Sequence, residues 1–170
     1  MIIRKEKLTD YEFIYSLVKK AFESSEHADG NEQDLVNELR KGEAYIPELS
    51  LVAEIEGKIA GHIMFTEAKI NDNKVLVLAP LSVLPQYQNK GIGTALIKEG
   101  HKIAEKLGYG YSIVLGSEKY YPKMGYAAAD RFGITAPFDV PKENFMVCKL
   151  NEENINISGV IKYPKEFGIN

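Results

Sequence analysis

The chain has 170 residues, 45% of them hydrophobic and 26% charged, with a formal net charge of −3. That is the makeup of an ordinary globular protein, long enough for one domain that buries roughly two thirds of its chain surface. The charge argues against a nucleic-acid surface, and no apolar run approaches a signal peptide or a membrane span, so a cytoplasmic protein with neither partner is expected.

In chain order, residues 1–5 run from apolar to charged and read as a first strand. Thr9, Asp10, Tyr11 and Glu12 have the capping-box spacing. Ile14, Leu17, Val18, Ala21 and Phe22 then recur at helical intervals. Residues 23–30 are polar and loop-like and include Glu26 and His27. Asn31 can cap a second helix through Arg40, with Leu35, Val36 and Leu39 as its apolar face. Pro47 closes that section. Residues 51–56 and 58–65 read as strands joined tightly at Gly57, and 71–73 (Asn-Asp-Asn) as a second turn. Residues 75–84 are almost wholly apolar, rich in Val and Leu, and read as a buried strand that Pro85 ends.

From Gly91 the period changes. Ile92, Leu96, Ile103 and Leu107 share one helical face with Ala95 and Ala104 beside them, while Lys98, Glu99, Lys102, Glu105 and Lys106 take the other. Gly108 caps this helix. Strands are expected at 111–115 and 145–150, a short helical segment at 118–124, a turn at Gly125 and Tyr126, and a weaker strand at 160–163. The one cysteine, Cys148, cannot form an internal disulfide and falls in the apolar run 145–148, as a packed strand residue would. The tightly joined strands should be antiparallel, and the strand–helix–strand unit a right-handed parallel crossover. The expected fold class is α/β: a mixed, mostly antiparallel twisted sheet with helices on both faces.

The turn between strand and helix carries chemistry. Two glycines let the main chain approach a ligand without a Cβ in the way. The first amides of the helix have no partner inside it, and the helix dipole makes that end weakly positive. The turn is therefore an anion cradle suited to phosphate or pyrophosphate. The dinucleotide fingerprint fails because its last position is Leu96. A P-loop fails because Lys90 precedes the glycine and no G-x-x-x-x-G frame exists. A third pattern, Q/R-x-x-G-x-G/A between a strand and a helix, is matched in full by Gln88, Gly91 and Gly93.

That pattern resembles the acetyl-CoA pyrophosphate loop of the GNAT superfamily of N-acetyltransferases. Residues 78–93 are similar to the YhbS-like group within it, as is the Gly-Val-x-x-Tyr-Pro-x-x-Phe run at 159–167. The resemblance covers nearly the whole chain, with its motifs concentrated in 78–126. It implies a GNAT fold over 1–170 with a splayed central strand pair, acetyl-CoA as cosubstrate and no metal. Pro80, which cannot donate to a ladder, fits the bulge that precedes the loop in this fold. The resemblance assigns Leu81, Ser82 and Val83 to main-chain contacts with the pantetheine arm. It assigns Gln88, Asn89, Lys90, Gly91, Ile92, Gly93 and Thr94 to the diphosphate, with Lys90 as a diffuse charge.

Acetyl transfer needs a polarised thioester carbonyl, a deprotonated amine and a protonated leaving thiolate. By resemblance to the family's Tyr-x-x-x-Gly-Phe/Tyr pattern, completed here by Gly125 and Tyr126, Tyr121 is the general acid. A phenol is protonated at neutral pH, as an acid must be. The base is open. The strand at 75–80 offers no carboxylate, and Glu67, His62, Glu26 and His27 are each more ordinary as packed or solvated residues than as a base. Ser117 reads as a helix cap for residue 118 onward, with an approach to the pantetheine arm as the alternative. The acceptor is expected to be an amine of a small molecule or protein, and a homodimer is left open. The missing strand carboxylate keeps a non-catalytic acyl-CoA-binding regulatory module as the alternative. A general nucleotide-binding protein is disfavoured by the two failed motifs.

Overall fold

The structure is a computed structural model that describes residues 1–25, 28–152 and 156–169. The chain runs β1 (Ile2–Lys5), α1 (Tyr11–Phe22), α2 (Glu32–Lys41), β2 (Tyr45–Ile55), β3 (Lys58–Ile70) and β4 (Asn73–Val83). It continues through α3 (Ile92–Lys106), β5 (Tyr111–Leu115), β6 (Tyr126–Ala128), β7 (Ile134–Thr135), β8 (Phe145–Lys149) and β9 (Gly159–Lys162). Strand order in the main sheet is β1-β2-β3-β4-β5-β8-β6, with β9 against both β3 and β7. The β4–β5 and β7–β9 pairs are parallel, and every other recorded pair is antiparallel.

Two tight turns set the long β2–β3–β4 meander. Glu56 and Gly57 take left-handed angles, φ +51 and +78, as a two-residue hairpin with the right twist requires. Asn71 at φ +55 starts the next turn. Alternation along the strands then divides the core. Leu51, Ile63, Phe65, Leu76 and Leu78 face α3 and meet Ile92, Leu96, Ile97 and Ala104. Val52 and Met64 face the other way, against Ile14, Leu17 and Val18 of α1 and Val36 and Leu39 of α2. Helices thus cover both faces of a mixed sheet, the GNAT arrangement that the element order predicted.

Several boundaries differ from expectation, each for a local reason. Pro47 lies inside β2, in the irregular stretch between the Tyr45↔Thr66 and Ser50↔Met64 pairs, where its missing N–H costs no ladder bond. Leu107 is 44% exposed just past the end of α3, whereas Ile97 and Gly100 are buried. A Cβ on Gly100 would run into the Phe65 ring. The α1 cap is Asp10, whose carboxylate accepts the Lys7 N–H at 2.7 Å instead of forming the Thr9–Glu12 box. The segment expected at 118–124 narrows to a 3-10 turn, Tyr121–Met124. The short strands β6 and β7 had too few residues to show a period. Cys148 is buried in β8, and burial pushes its thiol up to about 11. Among the described residues no helix is long and apolar enough to cross a membrane, and no group of three or more His, Cys, Asp or Glu could hold a metal.

Candidate active site

The sheet opens between β4 and β5. They pair only at Leu76↔Ser112 and Val77↔Ile113. Beyond that point β4 continues against β3 and β5 against β8. Pro80 is the sequence cause. The β3 register steps from Ile63↔Leu81 to Phe65↔Leu78, so Ala79 and Pro80 together oppose Met64. A bulge of this kind bends its strand and raises the local twist. It leaves the outer edge of β4 beyond Val77, the stretch that includes Leu81, Ser82 and Val83, without a strand on the β5 side, and the Val83 carbonyl there is taken by the Gln88 side chain. The Leu81 and Val83 side chains pack on the α3 side, whereas Ser82 is buried on the opposite face with no partner for its hydroxyl among the described residues.

After β4 the chain makes a 3-10 turn, Pro85–Tyr87, closed by Tyr87 N–H on the Leu84 carbonyl at 2.8 Å. Gln88 departs from expectation. Its amide completes this turn by donating to the Pro85 carbonyl at 3.3 Å, and its side-chain Nε2 donates to the Val83 carbonyl at 3.1 Å. It therefore fixes the strand end and does not join the free amides. Asn89 and Gly91 then take φ +62 and +83. The first helical bond runs from Ala95 N–H to the Gly91 carbonyl at 3.1 Å. Among the described residues, the main-chain N–H groups of 89–94 have no acceptor within the chain. The cradle thus sits one residue later than the sequence placed it. A Cβ on Gly91 would meet nothing within 4 Å, so the turn faces open space. The Lys90 ammonium lies 5.8 Å from the Tyr87 ring centroid, at the rim of the same turn.

Three tyrosines line the region beside the first turn of α3. The Tyr121 ring fills the space that a Cβ would take at Gly116. It stands edge-on to Tyr120, centroids 5.1 Å apart at 79°, and to Tyr126, 5.7 Å apart at 76°. Burial, with help from neighbouring Tyr120, holds its phenol above the ordinary value. Tyr120 Oη lies 3.3 Å from Thr94 Oγ1, and a Cβ on Gly93 would come within 2.6 Å of that phenol. Gly93 is therefore needed for Tyr120 to seat on the helix. Tyr126 Oη sits between Ser112 Oγ at 2.7 Å and His101 Nε2 at 2.9 Å. Burial pulls His101 down to about 4, so the imidazole is neutral at neutral pH. His101 went unnoticed in the sequence, although it stands four residues after Ile97 and three before Ala104, on the inward stripe of α3. Ser117 is a local cap: its hydroxyl accepts the Lys119 N–H at 3.2 Å.

The two candidate bases among the described residues are engaged elsewhere. Glu67 accepts the Tyr109 hydroxyl at 2.6 Å, just past the C-terminal end of α3. His62 is wholly buried on the α1/α2 face, with Nε2 3.1 Å from both Ser50 Oγ and Glu6 Oε1. Burial lowers its pKa in spite of the facing carboxylate. Glu6 itself is bonded by Arg40 at 2.8 Å and by the Tyr45 hydroxyl at 2.7 Å. Burial opposes the Glu6 charge, but the bonds from Arg40, His62 and Tyr45 outweigh it and keep the carboxyl well below the usual range. Glu26 and His27 lie outside the described residues.

A mixed sheet that opens at its parallel strand pair, with a glycine turn leading into a helix beside the opening, is the architecture of the GNAT N-acetyltransferases. The chain belongs to that family: the acetyltransferase (GNAT) family model matches residues 11–126. It is 38% identical over 148 residues to the uncharacterized N-acetyltransferase YjhQ of Escherichia coli, covering 81% of each chain. It is 28% identical to YhbS of the same organism over 98% of both chains. Among solved structures, that of Escherichia coli YhbS in complex with CoA superposes with a TM-score of 0.88 at 26% identity, covering 98% of this chain and 91% of that one. A Brucella melitensis GNAT family acetyltransferase in complex with acetyl-CoA gives 0.81 at 30% identity, covering 98% and 97%.

Proposed function

We propose that the protein is a cytoplasmic, acetyl-CoA-dependent N-acetyltransferase, one domain over residues 1–170, acting on a primary amine of a small molecule or protein. The observation that carries this reading is the run of unpaired main-chain N–H groups at 89–94, standing at the end of a strand whose outer edge is open. An anionic diphosphate suits that donor set, because the amides converge where the dipole of α3 is positive. The free edge of β4 at Leu81, Ser82 and Val83 suits an amide-bearing arm. Two solved structures of similar fold hold CoA or acetyl-CoA, which supports the reading.

Bound acetyl-CoA supplies an acetyl group activated as a thioester. Residues 89–94 hold the diphosphate end, and β4 aligns the arm that follows it. Tyr121 gives its phenolic proton to the departing sulfur as the new C–N bond forms and the C–S bond breaks. A phenol starts protonated at neutral pH, as an acid must. We assign no base among Glu67 and His62, since both are bonded within the protein. The amine proton goes to water, and the Tyr121 phenolate takes one back from water.

Calorimetry with acetyl-CoA tests the cofactor assignment, and lack of binding at millimolar ligand would end it. Thiol release across amines, polyamines, amino acids and protein N-termini tests the transfer. Tyr121→Phe should lower kcat by about 100-fold, the usual worth of a general acid, with acetyl-CoA affinity little changed. An unaltered rate removes Tyr121 from the chemistry. The engagement of Glu67 and His62, the two base candidates among the described residues, favours one second reading, a non-catalytic acyl-CoA-binding regulatory module. It predicts binding without thiol release on every amine tried.

A further inference from the structure

The Tyr121 hydroxyl has no hydrogen-bond partner among the described residues, whereas the hydroxyls of the tyrosines on either side are both tied down. A phenol whose oxygen is unbonded is held only by what its ring touches. Here the ring packs on the core beneath α3, touches Gly116, and meets the rings of Tyr120 and Tyr126 edge-on. Its tilt therefore follows theirs.

Each neighbour is anchored through its own oxygen to an element that cannot easily move. Tyr120 reaches Thr94 on the first turn of α3 and lies against the bare Cα of Gly93. Tyr126 bridges Ser112 of β5 and His101 of α3, and both it and Ser112 are buried. Edge-to-face contacts have a preferred geometry, so fixing the outer rings fixes the tilt of the middle one. Two of the anchors, Thr94 and His101, belong to the helix whose first amides form the anion cradle. The position of the Tyr121 oxygen is thus measured from the same rigid element that would hold the diphosphate.

We propose that Tyr120 and Tyr126 are positioning residues that clamp the Tyr121 ring from both sides, so that its unbonded hydroxyl points at the reacting sulfur without being consumed by the protein. The inference rests on the reading of Tyr121 as proton donor. It assigns no contact with the substrate to either neighbour. Their effect on the rate must pass through Tyr121, and that separates a clamp from general support of the fold.

A double-mutant cycle reads this directly. In the wild-type background, Tyr120→Phe and Tyr126→Phe should each lower kcat about tenfold, the scale of a modest misplacement. The KM for acetyl-CoA should stay within about twofold. In the Tyr121→Phe background neither should lower kcat further. His101→Asn, which loosens the Tyr126 anchor and leaves every tyrosine in place, should give a smaller loss that also vanishes in that background. Equal losses in both backgrounds, or none in either, overturn the clamp and leave the acetyltransferase reading standing. A raised KM with kcat intact for Tyr120→Phe overturns its assignment as a positioning residue. A silent Tyr121→Phe in an active enzyme overturns the proton-donor reading and this inference together.

Discussion

Gly91 and Gly108 bracket α3 with nearly the same backbone angle, φ +83 and +92, and neither has an atom within 4 Å of a built Cβ. Their surroundings are opposite. Past the C-terminal end, Leu107, Gly108 and Tyr109 amides bond the carbonyls of Ile103, Glu105 and Ala104, all at 3.0 Å. The Tyr109 hydroxyl then goes to Glu67. At the N-terminal end, nothing among the described residues takes the amides of 89–94. A left-handed glycine marks a turn. Whether the turn is a site depends on which main-chain groups remain unpaired after the fold is complete.

The largest effect expected from this contrast comes from placing alanine at each glycine. Both Gly91→Ala and Gly108→Ala force a Cβ into the left-handed region and should lower stability by about 1–2 kcal/mol in urea unfolding. Only Gly91→Ala should weaken acetyl-CoA, by at least about tenfold or about 1.4 kcal/mol, because its Cβ enters the space the ligand would use. Equal affinities for the two variants would remove the distinction between the ends. At the closed end, Tyr109→Phe takes the hydroxyl from a half-buried carboxylate and should cost about 1 kcal/mol of stability. The acetyl-CoA dissociation constant should not change. A shift there would mean that the closed end also communicates with the ligand.

Most of the fold was legible because its signals are local. The alternation in β2 to β4, the Gly57 and Asn71 turns and the amphipathic period of α3 depend on neighbours a few residues apart. The bulge was legible for the same reason, since a proline in a buried strand cannot complete a ladder, whereas the splay was expected from the family resemblance. What the sequence hid was which polar groups pair with which. That Gln88 would spend its amide on Pro85 and its side chain on Val83 depends on how the 3-10 turn folds back. That His62 would meet Glu6 across 56 residues, or His101 meet Tyr126 across 25, has no local signature. These partnerships decide which polar groups are left for chemistry. A base therefore could not be chosen from the sequence, whereas Tyr121 could be proposed from its motif.

The smallest effect concerns the middle of α3, between the closed and open ends. His101 has an ordinary value of 6.5, and burial holds it near about 4 in the fold. Between those values the unfolded chain binds a proton that the folded chain refuses, so stability must fall as pH drops from about 6.5 toward about 4. Above about 6.5 both states are neutral at this group, and it adds no pH dependence. Wholly buried His62 shifts in the same direction, so His101→Asn should flatten only part of the slope. Urea midpoints at about pH 7, 5.5 and 4.5 give the measurement. The variant should lose stability at neutral pH and lose less of it on acidification than the parent. Parallel slopes would assign the proton uptake to other groups. The bond between His101 and Tyr126 would then be set by geometry alone, with no share in keeping the imidazole neutral.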